Sequence, residues 1–233
     1  MNIGLVQRGN MELSTEGGPS IHTFLAKFDA IFTLNEDLLL ELYYEPKRHD
    51  LGRWEGAYYP GIEPPTVPPI HSGEIVKLER RVTTIGPTPP NRQPIYKLHG
   101  SVNWTDGTGS LFVAGGSKDA YGRSKPLLSG YFQDLRSRLT RPNTRLMVIG
   151  YGFADEHVNR LILDAWQANQ SLGMYYIHPE GRDAISRGIQ QKALVQWTPP
   201  LAEVPCIGES RRPLSTTFGR DGIEYEKLMR FFG

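Results

Sequence analysis

The sequence predicts an α/β protein built on a parallel sheet, and three observations carry that expectation. Short apolar runs at Asp29–Asn35, Ile95–Leu98, Arg145–Ile149 and Met174–Ile177 have the length and content of buried strands. Helical spacing of apolar residues lies between them, most clearly over Leu127–Leu139 and Glu156–Gln170. The runs end in polar or glycine-containing turns, and strands alternating with helices in this way read as parallel strands joined by crossovers.

Taken in order, residues 1–28 are weakly patterned. Gly17, Gly18 and Pro19 interrupt them, and Ile21–Phe28 is the earliest helix-like run. The strand over 29–35 ends at Thr33–Asn35, which puts polar side chains at its carboxyl end, the edge where open α/β sheets bind ligands. Glu36–Tyr44, with Leu38, Leu39, Leu40 and Leu42, reads as a helix packed on that strand. Residues 45–94 carry ten prolines, from Pro46 to Pro94, and are expected to form an insertion or small lobe with no core strand or helix. Within it, Ile75–Thr83 is expected to be an exposed strand. Past Ile95–Leu98, His99–Trp104 reads as a polar turn and Ser110–Ala114 as a strand. In Leu127–Leu139 the apolar positions are Leu128, Tyr131, Phe132, Leu135 and Leu139. Arg145–Ile149 is the strongest buried-strand signal, closed by Gly150-Tyr151-Gly152. Val158, Leu161, Ile162 and Trp166 line one side of the next helix. The chain is mixed after Gly181, with a terminal helix expected over Glu224–Phe232.

Composition narrows the function classes. Among 233 residues, 39% are hydrophobic and four Trp, eleven Tyr and nine Phe are present, enough for a packed core. A formal net charge of +1 removes the electrostatic case for non-specific binding to nucleic acid or an anionic membrane. The single cysteine, Cys206, excludes a disulfide framework and a cysteine-based zinc site, and suits a reducing cytoplasm. No apolar stretch approaches the ~20 residues of a membrane span, and the first ten residues lack the apolar core of a secretory signal. The expectation is one cytoplasmic domain spanning 1–233, with 45–94 as its insertion and no metal site. His22, His49, His71, His157 and His178 show no ligand spacing.

Three polar clusters fall at carboxyl ends of the expected strands: Thr33-Leu34-Asn35-Glu36-Asp37, His99-Gly100, and Gly150-Tyr151-Gly152-Phe153-Ala154-Asp155. Each has an ordinary structural explanation. Asn35 and Asp37 would serve as an N-cap and a first-turn acid. His99 would be a hydrogen-bonded turn histidine, and Gly150 and Gly152 would permit a tight turn. Tyr43, Tyr44, Tyr58 and Tyr59 are expected to pack loops, and Arg80, Arg81, Arg211 and Arg212 to be solvated. Three clusters at one rim of one sheet are a stronger signal than any one of them.

Together these motifs resemble those of the sirtuin superfamily, in the same order. The runs Lys97–Trp104 and Val148–Asn159 are more similar to bacterial sirtuin-like domains than to deacetylases, and the resemblance covers roughly residues 29–178. It implies a Rossmann-like parallel sheet with helices on both faces, and a protein that cleaves NAD, often as an antiviral defence effector that depletes the cofactor. The resemblance also implies the roles. Asn35 would orient the ribose and the attacking water. His99, an imidazole titrating near neutrality, would act as general base. Asp37 would bind the nicotinamide carboxamide. Thr33 and Gly100 would support the site, Gly150, Tyr151 and Gly152 would face the adenosine side, and Asp155 and Asn159 would fasten the following helix. NAD is then a substrate. A homo-oligomer or a partner defence subunit would regulate the activity, with no direct nucleic-acid signal.

The sequence departs from the family pattern at two points. The family opens with a strand and a Gly-Ala-Gly-type turn holding the pyrophosphate. Here the only candidate is Gly17-Gly18-Pro19-Ser20, with no strand before it, and Pro19 lacks an amide donor. The first strand-turn-helix unit is expected to be missing, as in a shortened version or a fragment of a larger protein. Glu36 stands where sirtuins place an apolar residue. Facing the pocket, it would raise a neighbouring carboxyl pKa; facing solvent, it would be a first-turn acid. Deacylases of the superfamily carry a four-cysteine zinc ribbon, so the single cysteine disfavours deacylation. Two readings of function stay open: an NAD hydrolase yielding nicotinamide and ADP-ribose, or an NAD- or ADP-ribose-binding scaffolding module without turnover. Transfer of ADP-ribose to a protein is a weaker third.

Overall fold

The computed structural model describes residues 20–44, 53–63, 80–112, 125–191, 200–219 and 221–233. The chain divides into two compact units, one spanning His22–Leu135 and the other containing Arg136–Gly233. The fold is mixed α/β, with parallel sheets and helices, and is Rossmann-like.

In the first unit, α1 (Ile21–Leu25) precedes β1 (Ile31–Thr33) and α2 (Leu39–Tyr43). Strand β4 (Arg92–Lys97) lies between β1 and β2 (Gly56–Tyr58), parallel to both. The register explains how Pro94 is tolerated in a central strand. β2 pairs with Arg92, Gln93 and Pro94, whereas β1 pairs with Ile95, Tyr96 and Lys97. Pro94 therefore sits where one neighbour ends and the other begins, and its missing N–H falls at the end of a ladder. A second sheet has β3 (Arg80–Arg81), β5 (Gly100–Thr105) and β6 (Ser110–Phe112), with β5 central.

The second unit holds a parallel sheet in the order β7 (Arg145–Ile149), β8 (Gly173–Ile177), β9 (Cys206–Ser210). Helix α4 (Glu156–Ala168) connects β7 to β8. β8 is buried along its whole length, as a central parallel strand must be, whereas Ile149 and Ile207 on the flanking strands are exposed. α5 (Ala184–Gln191), α6 (Leu214–Thr217) and α7 (Gly222–Met229) complete the unit, with a 3-10 turn at Arg230–Phe232. Of the face expected on α3 (Pro126–Leu139), a helix that lies mostly in the first unit, Leu128, Tyr131, Leu135 and Leu139 are buried and Leu127 joins them, whereas Phe132 is half-buried. Tyr131 anchors it, donating to the Pro60 carbonyl at 2.5 Å and meeting the rings of Tyr96 and Trp104 edge-on.

Several expectations are corrected. His99–Trp104 is not a polar turn, because Gly100–Thr105 is a strand with Ser101 and Trp104 buried. The polar character misled because the hydroxyl of Ser101 has a partner in the interior, Lys97. Gly56–Tyr58 supplies a sheet strand inside the proline-rich segment, and Pro94 of that segment lies within β4, paired with Tyr58. Arg80 is 3% exposed, not solvated, and its guanidinium lies 5.2 Å from the centre of the Tyr59 ring. Arg81, Arg211 and Arg212 are exposed as expected. Residues 75–79 of the expected exposed strand, and Gly17-Gly18-Pro19, lie outside the described residues. The helix expected from Glu36 begins at Leu39, α5 and β9 lie in the stretch after Gly181 that reads as mixed, and the helix expected over Glu224–Phe232 runs over Gly222–Met229 with a 3-10 turn after it. No helix among the described residues is long and apolar enough to cross a membrane.

Candidate functional site

The parallel pairing of β1 with β4 brings two of the three sequence clusters together within the first unit. Both strands end at the same edge, with Thr33 opposite Lys97. Beyond the ladder, the Leu98 amide donates to the Thr33 carbonyl at 2.9 Å, and the Val102 amide donates to the Glu36 carbonyl at 3.1 Å. The segment 33–37 is thereby laid along 98–102, and His99 and Gly100 turn beside it.

Local bonds shape the 33–37 loop. Thr33 Oγ1 accepts the Asn35 amide at 3.0 Å, and Asp37 Oδ1 accepts the Leu39 amide at 3.0 Å. These are side-chain turns of the kind Thr and Asp form readily, and they delay the start of α2. Asn35 is therefore not the helix N-cap. It is exposed, and among the described residues its carboxamide makes no hydrogen bond. Glu36 lies in the loop, half-buried, and is not a first-turn helix acid. The second Asp37 oxygen, Oδ2, is buried and has no hydrogen-bond partner among the described residues. A buried carboxylate oxygen without a donor is unfavourable, and a ligand N–H would satisfy it. His99 is 2% exposed. Gly100 has φ +76°, and a Cβ there would stand 2.1 Å from the Leu111 carbonyl oxygen, so the turn into β5 requires glycine.

Sequence reasoning missed the group beneath this loop. Lys97 and Glu41 are buried, with Nζ 2.8 Å from Oε1. The ammonium also donates to Ser101 Oγ at 2.7 Å and to the Asp37 carbonyl. Burial pushes the Lys97 pKa down, opposed by the Glu41 carboxylate. A signal was present: Lys97 interrupts the apolar run Ile95–Leu98, and Glu41 interrupts a leucine-rich helix. A charge inside a buried strand demands an opposite charge nearby.

The third cluster lies at the carboxyl end of β7, in the second unit. Gly150 adopts φ +63°, and its amide donates to the Ile177 carbonyl at 2.9 Å, so that N–H is committed to the sheet. Tyr151 is half-buried, its hydroxyl 2.8 Å from Asn159 Oδ1 and 3.0 Å from the Asp155 carbonyl. Burial and the adjacent Asp155 carboxylate push the phenol well above its ordinary pKa, so it remains a donor. Asn159 Nδ2 donates to the Phe153 carbonyl at 2.8 Å, which fastens the loop to α4. Asp155 occupies the N-cap position, but its side chain makes no cap bond. Phe153 is wholly buried with φ +54°. Its burial, worth roughly 1.5–3 kcal/mol, outweighs the roughly 1–2 kcal/mol cost of a left-handed backbone. Gly188 on α5 packs so closely that a Cβ would stand 2.0 Å from the Gly152 carbonyl oxygen.

Asn159→Ala removes two of the polar contacts that hold this loop and leaves the Tyr151 hydroxyl with the Asp155 carbonyl alone. It is expected to cost about 1–3 kcal/mol, chiefly by leaving the Phe153 carbonyl without its donor. The check is the chemical denaturation midpoint, and a midpoint equal to wild type would contradict the bracing role.

Among the described residues, no three His, Cys, Asp or Glu side chains gather as metal ligands. A family model described as SIR2-like domain matches residues 29–197 of the chain. No curated protein matches it.

Proposed function

Because the chain belongs to the SIR2-like domain family, whose chemistry is related to NAD, we propose that it hydrolyses NAD to nicotinamide and ADP-ribose. The observation that supports this reading is the edge of the first unit, where β1 and β4 bring Asn35, Asp37 and His99 onto adjacent segments beside an unsatisfied carboxylate oxygen.

In this reading Asp37 Oδ2 accepts from the nicotinamide carboxamide, and its negative charge stabilises the positive charge that develops on the ribose as the glycosidic bond breaks. The exposed carboxamide of Asn35 orients the ribose and the attacking water. His99 takes the proton that water releases, so water and NAD give nicotinamide, ADP-ribose and one proton. Thr33 acts through the loop, since its hydroxyl and its carbonyl are both engaged in holding it. Gly100 sets the turn after His99. In the second unit, Gly150 shapes its turn through positive φ. The Tyr151 hydroxyl is engaged with α4. We read the cellular role as antiviral defence by NAD depletion in the cytoplasm, regulated through a homo-oligomer or a partner subunit. That part rests on the similarity of Lys97–Trp104 and Val148–Asn159 to bacterial sirtuin-like domains.

Incubation of the purified chain with NAD tests the reaction. Equal amounts of nicotinamide and free ADP-ribose are expected. Nicotinamide release with the label retained on protein would overturn hydrolysis in favour of transfer.

A further inference from the structure

The Lys97 ammonium has three protons and three partners. Glu41 neutralises it, Ser101 bonds it from β5, and the third proton goes to a neutral group, the Asp37 carbonyl. The Asp37 main chain is therefore pinned at its carbonyl while Oδ1 is pinned by the Leu39 amide at 3.0 Å. With both fixed, the direction of Oδ2 is set before any ligand arrives. We propose that Lys97 is a positioning residue for recognition of the nicotinamide end of the substrate, acting through the Asp37 carbonyl to aim the buried Oδ2 at a carboxamide N–H. This rests on the NAD reading given above and assigns to the Lys97–Glu41–Ser101 cluster a part in it.

Stability alone does not explain the pair. Lys97 and Glu41 are 1% and 4% exposed at their side chains, and a buried ion pair is commonly no more stabilising than apolar residues of similar volume. An apolar pair would fill the same space, but it could not bond the Asp37 carbonyl. Removing only one partner would strand the other charge, so the informative variants change both residues together. Lys97→Met with Glu41→Leu leaves an apolar pair. Lys97→Gln with Glu41→Gln leaves a polar, neutral pair one atom too short to hold the carbonyl as lysine does.

The test compares two probes on the full chain by calorimetry: a carbocyclic, non-hydrolysable NAD analogue, which carries the carboxamide, and ADP-ribose, which lacks it. Wild type is expected to bind the analogue more tightly than ADP-ribose. In either double variant, with folding verified by circular dichroism, that preference should fall by about tenfold, the worth of one well-placed hydrogen bond, while ADP-ribose affinity is retained. A general structural defect would weaken both ligands together, and that result would overturn the proposal. So would a folded double variant with the wild-type preference, a wild type that binds the two probes equally, or failure of both double variants to fold, which would make the cluster structural. A wild type that binds neither probe and releases no nicotinamide would overturn the NAD reading itself, and this inference with it.

Discussion

Gly100→Ala is expected to unfold the 22–135 unit or to lower its stability by about 3 kcal/mol or more. Two penalties coincide at this position. With φ at +76°, an alanine carries the roughly 1–2 kcal/mol cost of the left-handed region. Its Cβ would also meet the Leu111 carbonyl oxygen at 2.1 Å, the Leu111 carbonyl carbon at 2.9 Å and the Phe112 Cα at 3.0 Å. All three are main-chain atoms of β6, which pairs with Gly100 across the sheet, so nothing flexible can move aside. Against a typical total stability of about 5–15 kcal/mol, such a loss is severe. Gly150→Ala separates the two causes. Its φ is +63°, yet nothing lies within 4 Å of a Cβ there, so only the conformational cost of roughly 1–2 kcal/mol applies. Denaturant unfolding of both variants checks the pair. Equal losses, or a Gly100→Ala protein that melts like wild type, would contradict the close packing of β5 on β6.

His99→Ala is expected to lower the rate of nicotinamide release by about 100- to 10,000-fold, the usual contribution of a positioned general base. The imidazole is 2% exposed, so truncation also opens a cavity and some stability will be lost. Retained ADP-ribose affinity then distinguishes a lost base from a disordered site. Undiminished release in the alanine variant would remove His99 from the mechanism.

The two edges that matter were readable in the sequence for a local reason. Apolar runs such as Arg145–Ile149 and Asp29–Asn35 announce strands by composition alone, but composition overstates their burial: β1 is half-buried throughout, and β7 buries only Val148 and leaves Arg145 and Ile149 exposed. What escaped reading depends on partners far along the chain. Ser101 looks like a turn residue until Lys97, on the preceding strand, supplies a buried donor. Gly56–Tyr58 looks like part of a loop, yet it finds an edge of β4 to pair with. Asn35 looks like a helix cap because the spacing to the leucines of α2 permits it, but the Thr33 hydroxyl captures its amide and Asp37 takes over the start of the helix. Arg80 reads as solvated because nothing nearby in sequence could cover it. Tyr59, twenty-one positions earlier, lies against its guanidinium.

The central claim is that the Asn35 carboxamide works on NAD. The most direct measurement quantifies nicotinamide and ADP-ribose formed from NAD by the wild-type chain and by Asn35→Ala, whose exposed side chain can be removed with little effect on folding. The account predicts release by wild type that falls about a hundredfold in the variant, the scale of a misplaced reactant. Equal release by the two proteins would contradict it, and a wild type that binds ADP-ribose but leaves NAD intact would make the chain a nucleotide-binding module.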